Sequence, residues 1–192
     1  STIGWAGNDT NEITNPVTPE LKGIDGIKAC DEAFETALKG GVTTVCTGPG
    51  SANIIGGTFC ALKTFGKTVE DKCMVAELAM KMALGENPKR CYQDKNIKTR
   101  MASAAILRDA LTQAKMYKET WDKYEKDIQE GKDVNKPAYN AKWHSLKRVF
   151  EGMLVKIHAH QEDDILTACR ISKEFGINST IEHCTSGWTI PE

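Results

Sequence analysis

The 192-residue chain contains no block of like charge: 25 basic and 26 acidic residues are interspersed, for a formal net charge of −1. That balance excludes the basic stripe of a nucleic-acid binder and the polybasic segment of a membrane-surface protein. No apolar run approaches the roughly 18 residues needed to span a bilayer. Cysteine occurs seven times but never as Cys-x-x-Cys. The odd number and irregular spacing exclude a disulfide framework and a structural zinc knuckle. Several of these cysteines fall in apolar patterns, where the residue behaves as a small hydrophobe, and a reducing cytoplasmic compartment is the expectation. No internal repeat or low-complexity segment is present. Histidine is scarce, with four in all, and that scarcity gives their placement weight.

What is there is an alternation of helix and strand signals. Residues 1–26 are rich in Gly, Asn, Asp, Thr and Pro and read as loop. "ACDEAFETALKGG" carries early acids, apolar Phe34, Ala37 and Leu38, and a Gly40-Gly41 stop, so it reads as a helix. It runs into "VTTVCTG", a β-branched stretch that reads as a buried strand. "PGSANIIGGTFCALKTFG" reads as a glycine-rich loop with a short strand or helix. A strand is expected near Ala79–Leu84, ending in the loop "GENPKR". Thr99 is placed to cap a long helix to about Glu130, whose apolar positions Leu107, Leu111, Ala114, Tyr117, Trp121, Tyr124 and Ile128 step by three and four. A second helix around Tyr139–Glu151 buries Trp143, Leu146, Val149 and Phe150.

The last section is the clearest. "MLVKIHAH" reads as a strand, "DDILTACRISKEFG" as a helix with acids in its first turn, and "INSTIEH" as another strand. Strand–helix–strand with short links is a βαβ unit, so the expected class is α/β with a parallel sheet, either doubly wound or a (β/α)8 barrel with outer helices. A doubly wound nucleotide-binding domain is the weaker of the two, because no G-x-G-x-x-G follows the first strand.

Alternation along a strand puts His158 and His160 on one face with Lys156, about 6.6 Å apart. Val155, Ile157 and Ala159 take the other face and suit packing against helices. His183 is assigned the same face as Ile181 and Ser179. Both histidine-bearing segments lie where a strand finishes, which is where α/β barrels place their chemistry. Imidazole ligates zinc, iron, nickel and manganese. Adjacent strands about 4.8 Å apart can bring His158 and His183 within ligand reach of one ion. His144, in "AKWHSLK", reads as a surface residue. Glu86 and Asn87, at a strand end, are candidates for substrate contact. "TGPGSANIIGG" reads as a tight turn, with a backbone anion cradle as its alternative.

"GVTTVCTGPGSANIIGG", "MKMALGENPKR" and "VKIHAHQEDDILTACRISKEFGINSTIEHCTSG" resemble segments of the metal-dependent amidohydrolase superfamily, in the branch near the imidazolonepropionase-like amidohydrolases. The early loop "GNDTNEITNPVTPELKGID" is similar to the same branch. The likeness covers nearly all of the chain apart from the long helical stretch. It implies a (β/α)8 barrel that hydrolyses C–N bonds of amides or cyclic amides with one or two divalent metals, zinc first. It implies His158 and His183 as metal ligands from the fifth and sixth strands, and His160 as a polar residue facing the substrate. The family's His-x-His pair at the end of the first barrel strand and its aspartate at the end of the eighth are absent from this sequence. The expectation is therefore a partial barrel, the middle half of a longer enzyme, with residues 27–97 as its first βα units, 98–151 as a helical segment and 152–192 as the βαβ unit. With two of four histidines, the isolated chain is expected to bind metal weakly and to have no hydrolase activity. The partners implied are a small-molecule substrate, and a second copy or the remainder of the same barrel. A non-catalytic barrel fragment and a ring-amine deaminase are the competing readings.

Overall fold

In the computed structural model, which describes residues 9–95 and 97–190, the chain forms a five-stranded sheet with helices packed on one face. The strands are β1 (Thr44–Thr47), β2 (Ile55–Lys63), β3 (Cys73–Ala83), β4 (Leu154–Ala159) and β5 (Ser179–His183), in spatial order β1-β2-β3-β4-β5. The sheet is mixed. β1 with β2 and β2 with β3 run antiparallel, while β3, β4 and β5 run parallel. The all-parallel expectation is therefore corrected for the N-terminal part. The β1–β2 connection (residues 48–54) and the β2–β3 connection (residues 64–72, with one helical turn at Val69–Lys72) return the chain directly, and antiparallel neighbours need no crossover helix.

α1 (Glu32–Lys39) starts where the Asp31 side chain accepts from the Ala33 N–H, and ends at Gly40. β1 follows as expected but is not buried. It is the edge strand, with residues alternating between exposed and half-buried, because among the described residues only β2 pairs with it. The glycine-rich segment forms the nine-residue β2 in full, and "GENPKR" forms a short helix, α3 (Glu86–Cys91), after the four-residue α2 (Val69–Lys72). Gly57 shows why β2 tolerates glycine: its φ is +115°, and a Cβ there would collide with the Leu21 backbone. Of the 1–26 loop reading, residues 9–22 stand, with single bridges Val17 to Ile55 and Lys22 to Thr58 tying them to β2, whereas Gly23–Gly26 form a 3₁₀ turn. The loop reading of 1–8 lies outside the described residues.

α4 spans Arg100–Gln129, and Thr99 caps it by accepting from the Ala102 N–H at 3.0 Å. The second helix is α5 (Ala141–Leu146), which tightens into a 3₁₀ turn to Glu151. α6 (Glu162–Phe175) carries Glu162, Asp163 and Asp164 in its first turn, where they complement the helix dipole, and stops at Gly176 with φ +64°. No described helix is long and apolar enough to cross a membrane.

The core lies between the sheet and α4–α6. Met80 and Met82 of β3, Val155 and Ile157 of β4, Leu107, Leu111 and Ala114 of α4, and Ile171 of α6 are all buried in one cluster. The first half of α4 thus does the packing. Farther along, Ile128 is 48 % exposed, so the stripe predicted from spacing outruns the sheet it covers. Leu107 is fully buried. Leu107→Ala is expected to lower unfolding free energy by about 2–5 kcal/mol, read from the shift in a urea unfolding curve.

Candidate metal-binding site

The site grows from the face of the sheet that the helices leave free. On β4, Val155 and Ile157 point into the core, so Lys156 and His158 point the other way. On β3, Met80 and Met82 take the core face and Lys81 the free face. The parallel register sets Lys81 beside Lys156 and Ala83 beside His158, and the Leu84 N–H donates to the His158 carbonyl at 3.0 Å. The ends of β3 and β4 are therefore level.

Immediately beyond, Gly85 turns the chain with φ +85°. A Cβ at Gly85 would lie 2.7 Å from Asp164 Oδ2, so glycine lets the β3–α3 turn close against the start of α6. Asp164 is buried and held by Arg100 Nε at 2.8 Å. The next residue, Glu86, is delivered to the histidines. One ligand atom each from Glu86, His158 and His160 lie within 4.8 Å of one another.

His183 reaches the group by a different device. In register it pairs with Ala159, and Ser179 on the same strand bonds Ser172 of α6. Simple alternation, which groups His183 with Ile181 and Ser179, would thus aim His183 at the helices and away from the His158 ring it was expected to join. Instead His183 and Cys184 adopt φ +67° and +50°, and the ring turns to the free face. Left-handed backbone at two consecutive non-glycine residues costs on the order of 1–3 kcal/mol each. The His183 ring centroid is 5.0 Å from His158 and 5.1 Å from His160, stacked on the latter. The His158 and His160 rings are 4.5 Å apart, edge to face. His160 Nδ1 is 2.6 Å from Thr185 Oγ1.

Asn87 faces His158. Its side-chain nitrogen lies 3.1 Å from His158 Nε2 and donates to Ser51 Oγ at 2.7 Å, while Arg90 donates to its Oδ1 at 3.2 Å. The "TGPGSANIIGG" segment supplies Ser51 and is no open anion cradle: the Gly50 N–H donates to the Thr10 carbonyl and the Ala52 N–H to Asn11 Oδ1.

Burial dominates the electrostatics. It lowers the His158 pKa to about 4, helped by Lys81, His160 and His183 and opposed by Glu86. His158 is thus neutral at pH 7, the form that ligates a cation. Burial likewise lowers Lys81 to about 8, with Glu182 opposing and Lys156 assisting. Lys156 is neutralised by Glu182 at 2.7 Å. Sequence spacing missed Ser51 and Arg90, and set Lys81 aside as a metal-bridging group because of its strand position. Lys81 was accessible from the alternation in "AMKMA"; Ser51 and Arg90 lie in irregular or short segments with no period to read. His144 is exposed on α5 against Tyr117 and Tyr139, remote from the group. A cavity of about 610 Å³ lies elsewhere, beside α1 and β1, and none of the histidines lines it.

No family model matches the chain. It is 28% identical over 208 residues to the amidohydrolase tasK of Hapsidospora irregularis, covering 98% of this chain and 21% of that protein. A solved structure, an amidohydrolase from Thermotoga maritima MSB8, superposes with a TM-score of 0.88 at 40% identity, over 99% of this chain and 49% of the other. The chain therefore spans about half the length of the solved relative and a fifth of the curated one. Its mixed sheet corresponds to a curled half-barrel within that longer fold.

Proposed function

Because the chain belongs to the amidohydrolase superfamily and matches part of longer members, we propose that it carries a divalent-metal site for hydrolysis of amide or cyclic-amide C–N bonds in small molecules. The observation that carries this reading is the meeting of Glu86, His158 and His160 at the level ends of β3 and β4.

The donor set fits such an ion. Two imidazoles and a carboxylate are the ligands of many catalytic zinc sites, which keep a position open for water. His158 Nδ1 is buried with no hydrogen-bond partner among the described residues, a vacancy that a cation would satisfy and an apolar fold would not tolerate cheaply. Glu86, His158 and His160 would hold the ion, and His183, at 5.0–5.1 Å by ring centroid, is placed to join them. Glu86 thus moves from substrate contact to ligand, and His160 joins the two histidines assigned from sequence. With three or four donors in place of two, zinc uptake by this chain is expected to be firm, not weak. A bound divalent ion supplies Lewis acidity, polarising a carbonyl oxygen and lowering the pKa of water toward neutrality. The chain's own residues do the rest of what is placed here: Thr185 orients the His160 ring through Nδ1, and the Lys156–Glu182 pair closes the floor without leaving a net charge.

Zinc uptake is the decisive test, because the chain spans only part of its relatives. Competition titration with a chromogenic chelator is expected to give one zinc per chain with micromolar affinity or better, and Glu86→Gln is expected to weaken it at least tenfold. A chain that takes up no zinc under those conditions ends this reading. Turnover of N-acyl and cyclic amides, with and without chelator, then separates hydrolysis from ammonia-releasing deamination by its products.

A further inference from the structure

The arrangement around His158 has an asymmetry that a donor count does not capture. Its Nε2 is engaged by the Asn87 amide at 3.1 Å, whereas its Nδ1 is buried and without a partner among the described residues. A neutral imidazole carries one proton. While Asn87 turns its nitrogen toward Nε2, that proton belongs on Nδ1, where nothing accepts it. An unsatisfied buried donor is unfavourable, because nothing replaces the hydrogen bond it made to water in the unfolded chain. If the amide turns over, its oxygen accepts from Nε2–H and Nδ1 is left as a bare lone pair. Ser51 permits the turn, since a hydroxyl donates as readily as it accepts. Arg90 opposes it only weakly, holding Oδ1 at 3.2 Å from an exposed position.

We infer that Asn87 is a positioning residue that sets the tautomer of His158: with an ion bound, its amide oxygen accepts Nε2–H and makes Nδ1 the ligating atom. This rests on the metal-site reading above. Asn87 then acts through His158 and not on the substrate. Ser51 keeps the amide in place in both orientations, and Arg90 favours the ion-free one. Partners of this kind, on the far nitrogen of a ligating histidine, typically change metal affinity 10–100-fold.

Two substitutions separate the possibilities by sign. A carboxylate only accepts, so Asn87→Asp is expected to bind zinc at least as tightly as the wild-type chain. Asn87→Leu offers neither group and is expected to lose roughly ten- to a hundredfold. Long-range ¹⁵N–¹H spectra of the histidine rings give a readout that a merely structural role would not move: zinc is expected to shift the His158 proton from Nδ1 to Nε2. The inference is overturned if Asn87→Asp weakens binding as far as Asn87→Leu, if Asn87→Leu binds like wild type, or if the proton stays on Nδ1 with zinc bound. Should the wild-type chain bind no zinc, the metal reading fails on its own. The ion-free spectra then decide the rest: an Nδ1–H tautomer that Asn87→Leu releases keeps the positioning role, and a spectrum indifferent to the substitution removes it. Far-UV circular dichroism of both variants confirms that they are folded.

Discussion

His158→Ala is expected to lower the zinc affinity of the chain by at least about 100-fold, whereas His144→Ala leaves it unchanged. A four-ligand structural zinc site is worth about 10–16 kcal/mol, so one ligand accounts for roughly 3 kcal/mol, or two orders of magnitude. His158 should meet or exceed that share. It is 2 % exposed and central to the group, with rings of His160 and His183 at 4.5 and 5.0 Å. His144 is the matched control, a histidine of the same chain exposed on α5. Both affinities follow from the same chelator competition. Equal binding by wild type and His158→Ala would mean that any ion sits elsewhere, and the donor group described above would have no role in holding it.

The second large effect is on stability against pH in chelated, metal-free solution. His158 titrates near 4 in the fold and near 6.5 when unfolded. Between these values the unfolded chain holds the extra proton, so stability falls as pH drops from about 6.5 to about 4. Lys81 is also depressed, to about 8 from 10.5. Its contribution runs in an alkaline window: the fold carries the full cost of a buried ammonium below about pH 8, and stability recovers as pH rises toward 10.5. Each limb is worth up to about 3 kcal/mol at 1.36 kcal/mol per pKa unit. Urea unfolding across pH should show wild type losing stability on the acid limb more steeply than His158→Gln. Lys81→Met should be more stable than wild type at pH 7, with a flatter alkaline limb. A Lys81→Met chain less stable than wild type at pH 7 would show that the ammonium has a partner worth more than its burial costs.

The parts of this fold that could be read from residues are those where one period persists. α4 and α6 announced themselves by steps of three and four, by Thr99 and by Gly176. β4 did so through the alternation of Val155, Lys156, Ile157 and His158. β2 could not be read, because its glycines look like loop until Leu21 is seen lying against Gly57. The direction of β1 and β2 was also hidden, since pairing sense is a property of connections and not of strand composition. In the site, His158 and His160 followed from period two. His183 arrives by a left-handed turn that no periodicity encodes, and Glu86 by a glycine whose reason is Asp164, nearly 80 positions away along the sequence.

The mixed sheet also sets an order of assembly. β1, β2 and β3 pair through short reversals, contacts of low sequence separation that form quickly, whereas β3 and β4 are joined across roughly 70 residues that include all of α4. During synthesis the antiparallel meander can be complete while the strand bearing His158 has yet to emerge. Glu86 would then wait on a finished platform, and the ion-binding cluster would come together only in the slowest, most non-local step. In refolding with cobalt(II) in place of zinc, the d–d absorbance of the bound cobalt should lag behind the recovery of far-UV signal.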